Sequence, residues 1–276
     1  MEQRYATSPE QVPGMDTAEL RRRYLVPGLF VDDEANAVYT HHDRVVLLGA
    51  KPVTGPVVLP TFPEIRSEYF LEHREAGVVN VGGSGTVTVD GTTYDLAHGS
   101  CLYLGRGARD VTFASADATT PARFYVVSAP AHTAYPTTLV EAGHGTVREL
   151  GDALTSNRRT LNQYIHENGV RSCQVVMGVT TLHPGSMWNT MPAHTHDRRM
   201  EAYLYFDLPD DARVVHLLGR PDETRHLVVG NEEAIISPSW SVHSGVGTAS
   251  YSFVWAMAGE NQSFDDMDGF PITDMR

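Results

Sequence analysis

The sequence is short of cysteine. Its 276 residues contain only Cys101 and Cys173, which lie far apart and form no CxxC pair. Two isolated cysteines exclude a disulfide scaffold and a zinc site built from thiolates. Buried, reduced thiols are typical of proteins from a reducing compartment, so we predict a cytoplasmic protein.

Lysine is scarcer still, because Lys51 is the only one. The 21 basic residues are outnumbered by 34 acidic ones, which gives a formal net charge of −13 at pH 7. Binding to a phosphate backbone needs a basic face. The charge balance therefore excludes a nucleic-acid partner.

Long apolar runs are also missing. The strongest run, residues 45–50, has the length of a strand, whereas a helix that crosses a bilayer needs about 18 apolar residues. The first 14 residues lack the basic segment and apolar stretch that are typical of a secretory signal. We predict no membrane partner.

Helical patterns are few. Residues 16–19 have the spacing of a capping box and predict a short helix through Tyr24. Residues 155–165 (TSNRRTLNQYI) are compatible with either a helix or a loop. The sequence is instead rich in short runs of Val, Thr, Tyr and Phe that end at Gly, Pro, Asn or Asp. Such runs predict an all-β fold, with Asp90-Gly91 at a hairpin turn.

The length predicts about two domains at roughly 150 residues each. The segment from Gly99 (GSCLYLGRGARD) can be laid over the segment from Glu232 (EEAIISPSWSVH), so one strand–turn–strand pattern occurs twice. We predict two β-barrel (jelly-roll) domains with few short helices, one at 1–150 and one at 151–276.

The thirteen histidines include one pair at spacing i, i+2, His194 and His196. On an extended strand both rings lie on the same face. A turn after His196 would bring Glu201 opposite them, and a later strand–turn segment supplies His243. Three imidazoles and a carboxylate suit Zn, Mn, Fe, Co or Ni, with positions left open for water or substrate.

The first domain lacks this set. In the overlay Asp110 stands where His243 stands in the second domain, and His73-Arg74-Glu75 is not an HxH pair. We expect a barrel that keeps the shape of the second domain without its metal ligands.

HxH-x4-E followed some forty residues later by P-x-W-x2-H resembles the two halves of the cupin metal motif, with departures confined to the turns. Longer segments, residues 69–91, 188–208, 225–247 and 253–268, resemble the bacterial 5-keto-4-deoxyuronate isomerase family, and the resemblance covers nearly the whole chain. It implies a bicupin fold, a zinc site at His194, His196, Glu201 and His243, and a homo-hexamer.

The resemblance also implies an activity. Members of that family are aldose–ketose isomerases of pectin breakdown, and they convert 5-dehydro-4-deoxy-D-glucuronate, a small anionic sugar acid, into 3-deoxy-D-glycero-2,5-hexodiulosonate. Tyr203 and Tyr205 share the face of Glu201 if the strand keeps its period of two, and either phenol could carry a proton. Arg198 and Arg199 could bind the substrate carboxylate. The acidic cluster at 265–268 is expected to be a solvated loop or a subunit contact.

Three alternatives stay open at this point. The same ligand set serves a related isomerase of 5-deoxyglucuronate and iron dioxygenases, and a bicupin can also bind a sugar acid without catalysis. No glycine-rich nucleotide-binding motif is present, so we expect no redox cofactor.

Overall fold

The fold is described from a computed structural model that covers residues 1–276. It contains one α-helix, α1 (Thr17–Tyr24), and short 3₁₀ turns at Pro9–Gly14, Pro63–Ile65, Ala153–Thr155 and Ile272–Asp274. The side chain of Asp16 caps α1 by accepting a hydrogen bond from the amide of Glu19 at 2.8 Å, as the sequence predicts. None of the helices is long and apolar enough to cross a bilayer.

The first half of the chain forms two facing sheets, here called the first sandwich. The large sheet has the order β1-β3-β4-β11-β6-β9-β12, and the small sheet has the order β5-β10-β7-β8. The strands up to residue 140 are β1 (Glu2–Arg4), β2 (Leu25–Val26), β3 (Ala35–Thr40), β4 (Val46–Ala50), β5 (Val57–Val58), β6 (Arg74–Asn80), β7 (Gly85–Val89), β8 (Thr92–Leu96), β9 (Cys101–Leu104), β10 (Val111–Ser115), β11 (Phe124–Pro130) and β12 (Thr138–Val140).

The second half repeats this layout as the second sandwich. Its large sheet has the order β13-β14-β15-β23-β18-β21-β2, its small sheet has the order β16-β22-β19-β20, and β17 pairs with β24. Its strands are β13 (Thr146–Leu150), β14 (Arg159–Ile165), β15 (Val176–Leu182), β16 (Trp188–Asn189), β17 (His194–Thr195), β18 (Arg199–Phe206), β19 (Val214–Arg220), β20 (Glu223–Val229), β21 (Ala234–Ser237), β22 (Ser244–Gly247), β23 (Ser252–Gly259) and β24 (Asp268–Gly269).

The prediction of an all-β fold with few short helices is confirmed. No sheet closes on itself, so each unit is a pair of open sheets. The predicted hairpin turn is also present: Asp90 and Gly91 join β7 to β8 with φ values of 48° and 83°. These are conformations that Asp and Gly tolerate better than most residues.

The ambiguous stretch 155–165 is mostly a strand. Its residues from 159 onward form β14, which is hydrogen-bonded to β13 on one side and to β15 on the other. Leu161 and Gln163 are buried at alternate positions, which is the period of a strand rather than of a helix. Sheet partners on both sides decide the conformation where the local sequence does not.

Three apolar cores stabilise the molecule. One lies inside the first sandwich and one inside the second sandwich, each between a large and a small sheet. The third core joins the outer faces of the two large sheets, where Val79 and Tyr125 of the first sandwich pack with Met177 and Ala256 of the second. The two sandwiches therefore share a buried apolar interface.

The N-terminal segment ties the sandwiches together a second time. After β1 has paired with β3, the chain crosses over, and Leu20 and Tyr24 of α1 enter the core of the second sandwich. β2 then adds an edge strand to the second large sheet, with Leu25 opposite Ile235.

A buried carboxylate makes a third connection. Glu75 of the first sandwich is fully buried and accepts hydrogen bonds from the backbone amides of Cys173, Gln174 and Val175 at 2.7, 2.7 and 2.9 Å. The hydroxyl of Tyr103 donates a fourth bond at 2.8 Å. Every polar atom of this carboxylate is thus satisfied without a cation.

Candidate metal centre

Four side chains converge inside the second sandwich. His194 begins β17, His196 lies in the turn that follows, Glu201 lies in β18, and His243 precedes β22. One nitrogen or oxygen atom from each lies within 4.8 Å of the others. The sequence predicted this set of residues, and the fold brings all four together.

The contacts within the cluster are short. Oε2 of Glu201 lies 2.9 Å from Nε2 of His196 and 2.9 Å from Nε2 of His243. Nε2 of His243 also lies 3.0 Å from Nε2 of His194. His196, Glu201 and His243 are all less than 5% exposed, so the cluster is shielded from bulk solvent.

Backbone carbonyls fix the orientation of two imidazoles. Nδ1 of His196 lies 2.8 Å from the carbonyl oxygen of Arg199, and Nδ1 of His243 lies 3.2 Å from that of Ser241. A carbonyl only accepts, so each Nδ1 carries a proton and donates it. Each ring then directs its Nε2 atom into the cluster, as metal-binding histidines do.

The charge state of the cluster fits a divalent cation. Burial, together with the nearby His243, lowers the pKa of His194 to about 3, so this imidazole is neutral at pH 7. Burial opposes ionisation of Glu201, but His243 and His196 outweigh it and hold the pKa of that carboxyl well below its usual range. Three converging imidazoles and one carboxylate are a ligand set that suits a transition metal.

The first sandwich has different residues at the matching positions. Glu201 pairs with Ser237 between β18 and β21, and Ala76 pairs with Leu104 between the corresponding strands β6 and β9. Ala76 therefore occupies the register position of Glu201, and it offers no ligand atom.

A cavity of about 200 Å³ opens beside the cluster. Phe253, Trp255, Phe264 and other apolar side chains form most of its wall. A few polar groups also face it: Arg159, Thr180, Thr190, His194, Glu201 and Tyr203. An apolar pocket with a small number of converging polar groups is the usual form of a small-molecule site.

The two candidate tyrosines have different environments. Both lie on the core face of β18, as the period of two predicts. Tyr203 lines the cavity, and its hydroxyl is 3.0 Å from Oγ1 of Thr190. Tyr205 lies behind the cavity wall, where its hydroxyl is 2.7 Å from Nδ1 of His216. Burial, and then the charge of Glu201, raises the pKa of Tyr203 well above its usual value.

The two candidate arginines do not line the cavity. Arg198 pairs with Asp266 at 2.5 Å and with Asp268 at 2.9 Å. Arg199 is fully buried and donates to the carbonyl oxygens of Ser263 and Asp266. Their guanidinium groups hold the loop of the acidic cluster against β18, and the carbonyl of Arg199 orients His196.

Sequence reasoning missed Arg159. It lies at the start of β14 and lines the cavity. A period of two running back from Leu161 places it on the same face, but the local sequence of residues 155–165 does not identify a strand.

Comparisons with known proteins agree with this geometry. Residues 30–269 match the KduI/IolB family. A protein of Kineococcus radiotolerans named 4-deoxy-L-threo-5-hexosulose-uronate ketol-isomerase is 76% identical, and the match covers 100% of both chains. A protein of the same name from Escherichia coli SMS-3-5 is 53% identical over 95% of both chains.

Solved structures show the same fold at low sequence identity. An IolB-like protein from Salmonella typhimurium LT2 superposes with a TM-score of 0.67 at 16% identity, covering 82% of this chain and 87% of the other. An oxalate decarboxylase variant from Bacillus subtilis superposes with a TM-score of 0.53 at 13% identity, covering 82% and 71%. These likenesses concern the fold alone. The family match over residues 30–269 and the relatives aligned over the whole length show that the chain belongs to the KduI/IolB family.

Proposed function

We propose that the protein is a metal-dependent ketol-isomerase that converts 5-dehydro-4-deoxy-D-glucuronate into 3-deoxy-D-glycero-2,5-hexodiulosonate. The 76% identity over the whole chain to a relative named for this reaction carries the proposal. The buried cluster beside a cavity of about 200 Å³ supports it, because a bound metal would supply the Lewis acid that such an isomerisation needs.

The proposed ligands are His194, His196, Glu201 and His243, and the proposed metal is one zinc ion per subunit, with Mn, Fe, Co or Ni as alternatives. When bound, such an ion supplies a Lewis acid that polarises the substrate carbonyl and stabilises negative charge on the enediolate oxygens. The backbone carbonyls behind His196 and His243 keep both rings in the tautomer that leaves Nε2 free.

Tyr203 is the group that we assign to proton movement. Its raised pKa keeps the phenol protonated at neutral pH, so it donates a hydrogen bond to a substrate oxygen and does not act as the resting base. Thr190, 3.0 Å away, holds the hydroxyl in place. Tyr205 and Arg199 act as positioning residues, the first through the wall behind Tyr203 and the second through His196.

The apolar wall has a role of its own. Phe253, Trp255 and Phe264 line the cavity and reduce its water content. A drier site strengthens the electrostatic interactions in it and protects the enediol from stray protons.

Metal analysis combined with an NMR assay tests the proposal. Purified protein should contain about one metal ion per chain, and the carbonyl signal of the uronate should move by one carbon when the protein is added. A chelated protein should lose this activity and regain it with zinc. Full turnover by metal-free protein would overturn the role of the metal.

A second substrate has one observation in its favour. The family that matches residues 30–269 includes IolB-type proteins as well as KduI-type proteins. Assays of 5-deoxyglucuronate and of the 4-deoxy-5-keto uronate side by side distinguish the two isomerases. We expect the 4-deoxy-5-keto uronate to be preferred, because relatives that are 76% and 54% identical over the whole chain are named for a ketol-isomerase of this uronate.

The finer description of the molecule belongs to the same proposal. We assign one cupin unit to 1–150 and a second, metal-binding unit to 151–276, in a cytoplasmic homo-hexamer. Light scattering of the purified protein tests the oligomeric state.

A further inference from the structure

Arg159 occupies a distinctive position in the cavity. In β14 it pairs with Leu182, and Leu161, two residues further along, pairs with Thr180. Arg159 and Leu161 both line the cavity, as residues two apart on a strand should. No other arginine or lysine lines it.

The guanidinium of Arg159 has no carboxylate partner. Its one hydrogen bond, 2.8 Å from Nη1, goes to the carbonyl oxygen of Asn157, and it forms no ion pair. By contrast, Arg198 on the outside of the same sandwich pairs with two aspartates. The chain has 34 acidic residues and only 21 basic ones. Carboxylates are therefore plentiful, yet none of them pairs with Arg159.

The surroundings of Arg159 strengthen an interaction with an anion. The side chain is partly buried, and burial lowers its pKa, while the phenols of Tyr203 and Tyr251 act in the opposite direction. A partly desolvated guanidinium with free N–H groups gains more from a carboxylate than an exposed one does, and its planar fork matches both oxygens.

We propose that Arg159 binds the carboxylate of the uronate substrate and thereby selects sugar acids over neutral sugars. The inference rests on the proposed isomerase function and adds a subsite to it. Arg159 lines the same cavity as Tyr203 and as His194 and Glu201 of the candidate metal cluster. Arg159 would therefore hold the carboxylate of a bound substrate and orient the substrate in the cavity that also contains His194 and Glu201.

Kinetics with two substrates test this subsite. Arg159→Gln should raise KM for the uronate by roughly tenfold to hundredfold, the value of a charge-assisted hydrogen bond. It should leave kcat/KM nearly unchanged for an analogue in which a hydroxymethyl group replaces the carboxylate. Arg159→Lys should recover part of the loss, since it keeps the charge without the fork.

The neighbouring Arg158 provides a matched control. It is exposed and does not line the cavity. Arg158→Gln should therefore behave like the wild type with both substrates. Equal losses for the acid and the neutral analogue in Arg159→Gln, or no loss in either, would overturn the proposal.

A binding measurement separates the subsite from the isomerase activity. Calorimetric titration with D-glucuronate should show binding to the wild type and to Arg158→Gln, and at least about tenfold weaker binding to Arg159→Gln. D-glucose should bind none of them measurably. A wild type that binds glucuronate but does not isomerise the uronate would overturn the proposed reaction and keep the carboxylate subsite. Equal glucuronate binding in all three proteins, or none in any, would overturn the subsite.

Discussion

His194 and His243 are 49 residues apart in sequence, yet their Nε2 atoms lie 3.0 Å from each other. At this distance the two nitrogens share either a proton or a cation, because two facing lone pairs would repel each other. Together with the carboxylate of Glu201, the pair could hold a metal ion, and this interpretation can be tested.

Replacing His243 tests that reading. His243→Ala should contain less than a tenth of the wild-type metal and lose at least roughly a hundredfold in activity, since a Lewis acid contributes several kcal/mol to such a transition state. The protein should still fold, because the apolar cores are unchanged. Elemental analysis and circular dichroism measure both results. The control His226→Ala removes an exposed imidazole from β20, and it should keep both metal and activity. A His243→Ala protein with full metal content would contradict the assignment.

The two tyrosines of β18 should respond differently to removal of the hydroxyl. Tyr203→Phe should lower kcat by roughly 10²–10⁴-fold, the usual value of a positioned proton donor, with little loss of stability. Tyr205→Phe leaves Nδ1 of His216 without its 2.7 Å partner. It should cost about 1–3 kcal/mol of unfolding free energy and change kcat only a few-fold. Steady-state kinetics measure kcat, and urea unfolding measures the stability of each variant. A large loss of kcat in Tyr205→Phe with little loss in Tyr203→Phe would contradict the assigned roles.

The buried carboxylate between the sandwiches should be important for stability. In Glu75→Gln an amide NH₂ group replaces one carboxylate oxygen. The NH₂ group cannot accept a hydrogen bond, so the donors that bonded to that oxygen, which are backbone amides of 173–175 or the hydroxyl of Tyr103, lose their acceptor. We expect a loss of at least about 2 kcal/mol in the free energy of unfolding. Glu68→Gln, at an exposed site in the same sandwich, should have almost no effect. Urea unfolding measures both, and equal stability of the two variants would refute the argument.

One contact between the sandwiches should depend on pH. Nε2 of His98 lies 3.3 Å from Asp207, and this hydrogen bond raises the pKa of His98 although burial opposes it. A raised folded-state pKa means that the contribution to stability is complete below the unfolded value of about 6.5 and disappears as the pH rises through the folded value. Both side chains are nearly half exposed, so the contribution is at most about 1 kcal/mol.

The test compares unfolding at about pH 6 and about pH 8.5, on either side of the usual pKa of histidine. Asp207→Asn keeps a residue that tolerates the positive φ of 55° at this position. The difference in unfolding free energy between the two pH values should be smaller in Asp207→Asn than in the wild type. The control Asp210→Asn changes an exposed neighbour and should leave this difference unchanged. An unchanged pH dependence in Asp207→Asn would count against the His98 contact.

The clustering of His194, His196, Glu201 and His243 could be predicted from sequence because local rules determine where these residues lie. A period of two aligns His194 with His196, and the same period places Tyr203 and Tyr205 on the side of Glu201. The roles of the arginines could not be read in this way. Whether Arg199 faces substrate or protein depends on Ser263 and Asp266, more than sixty residues away.

The strand that carries Arg159 could not be predicted from the sequence either. Residues 155–165 have no strong pattern of their own, and β14 exists because β13 and β15 flank it. Sequence spacing describes neighbours along one strand, whereas a site also depends on neighbours across the sheet. The crossing of β2 into the second sandwich likewise leaves no local signal.

That crossing limits how far the protein can be trimmed. A fragment that begins at residue 151 would leave β21 as an uncovered sheet edge, because its partner β2 lies at 25–26. It would also expose the apolar face that normally packs on the first sandwich. Open edges and large apolar faces cause aggregation. The half that carries the candidate metal cluster would therefore not be stable alone, because the other half covers its apolar face and the N-terminal segment supplies its edge strand.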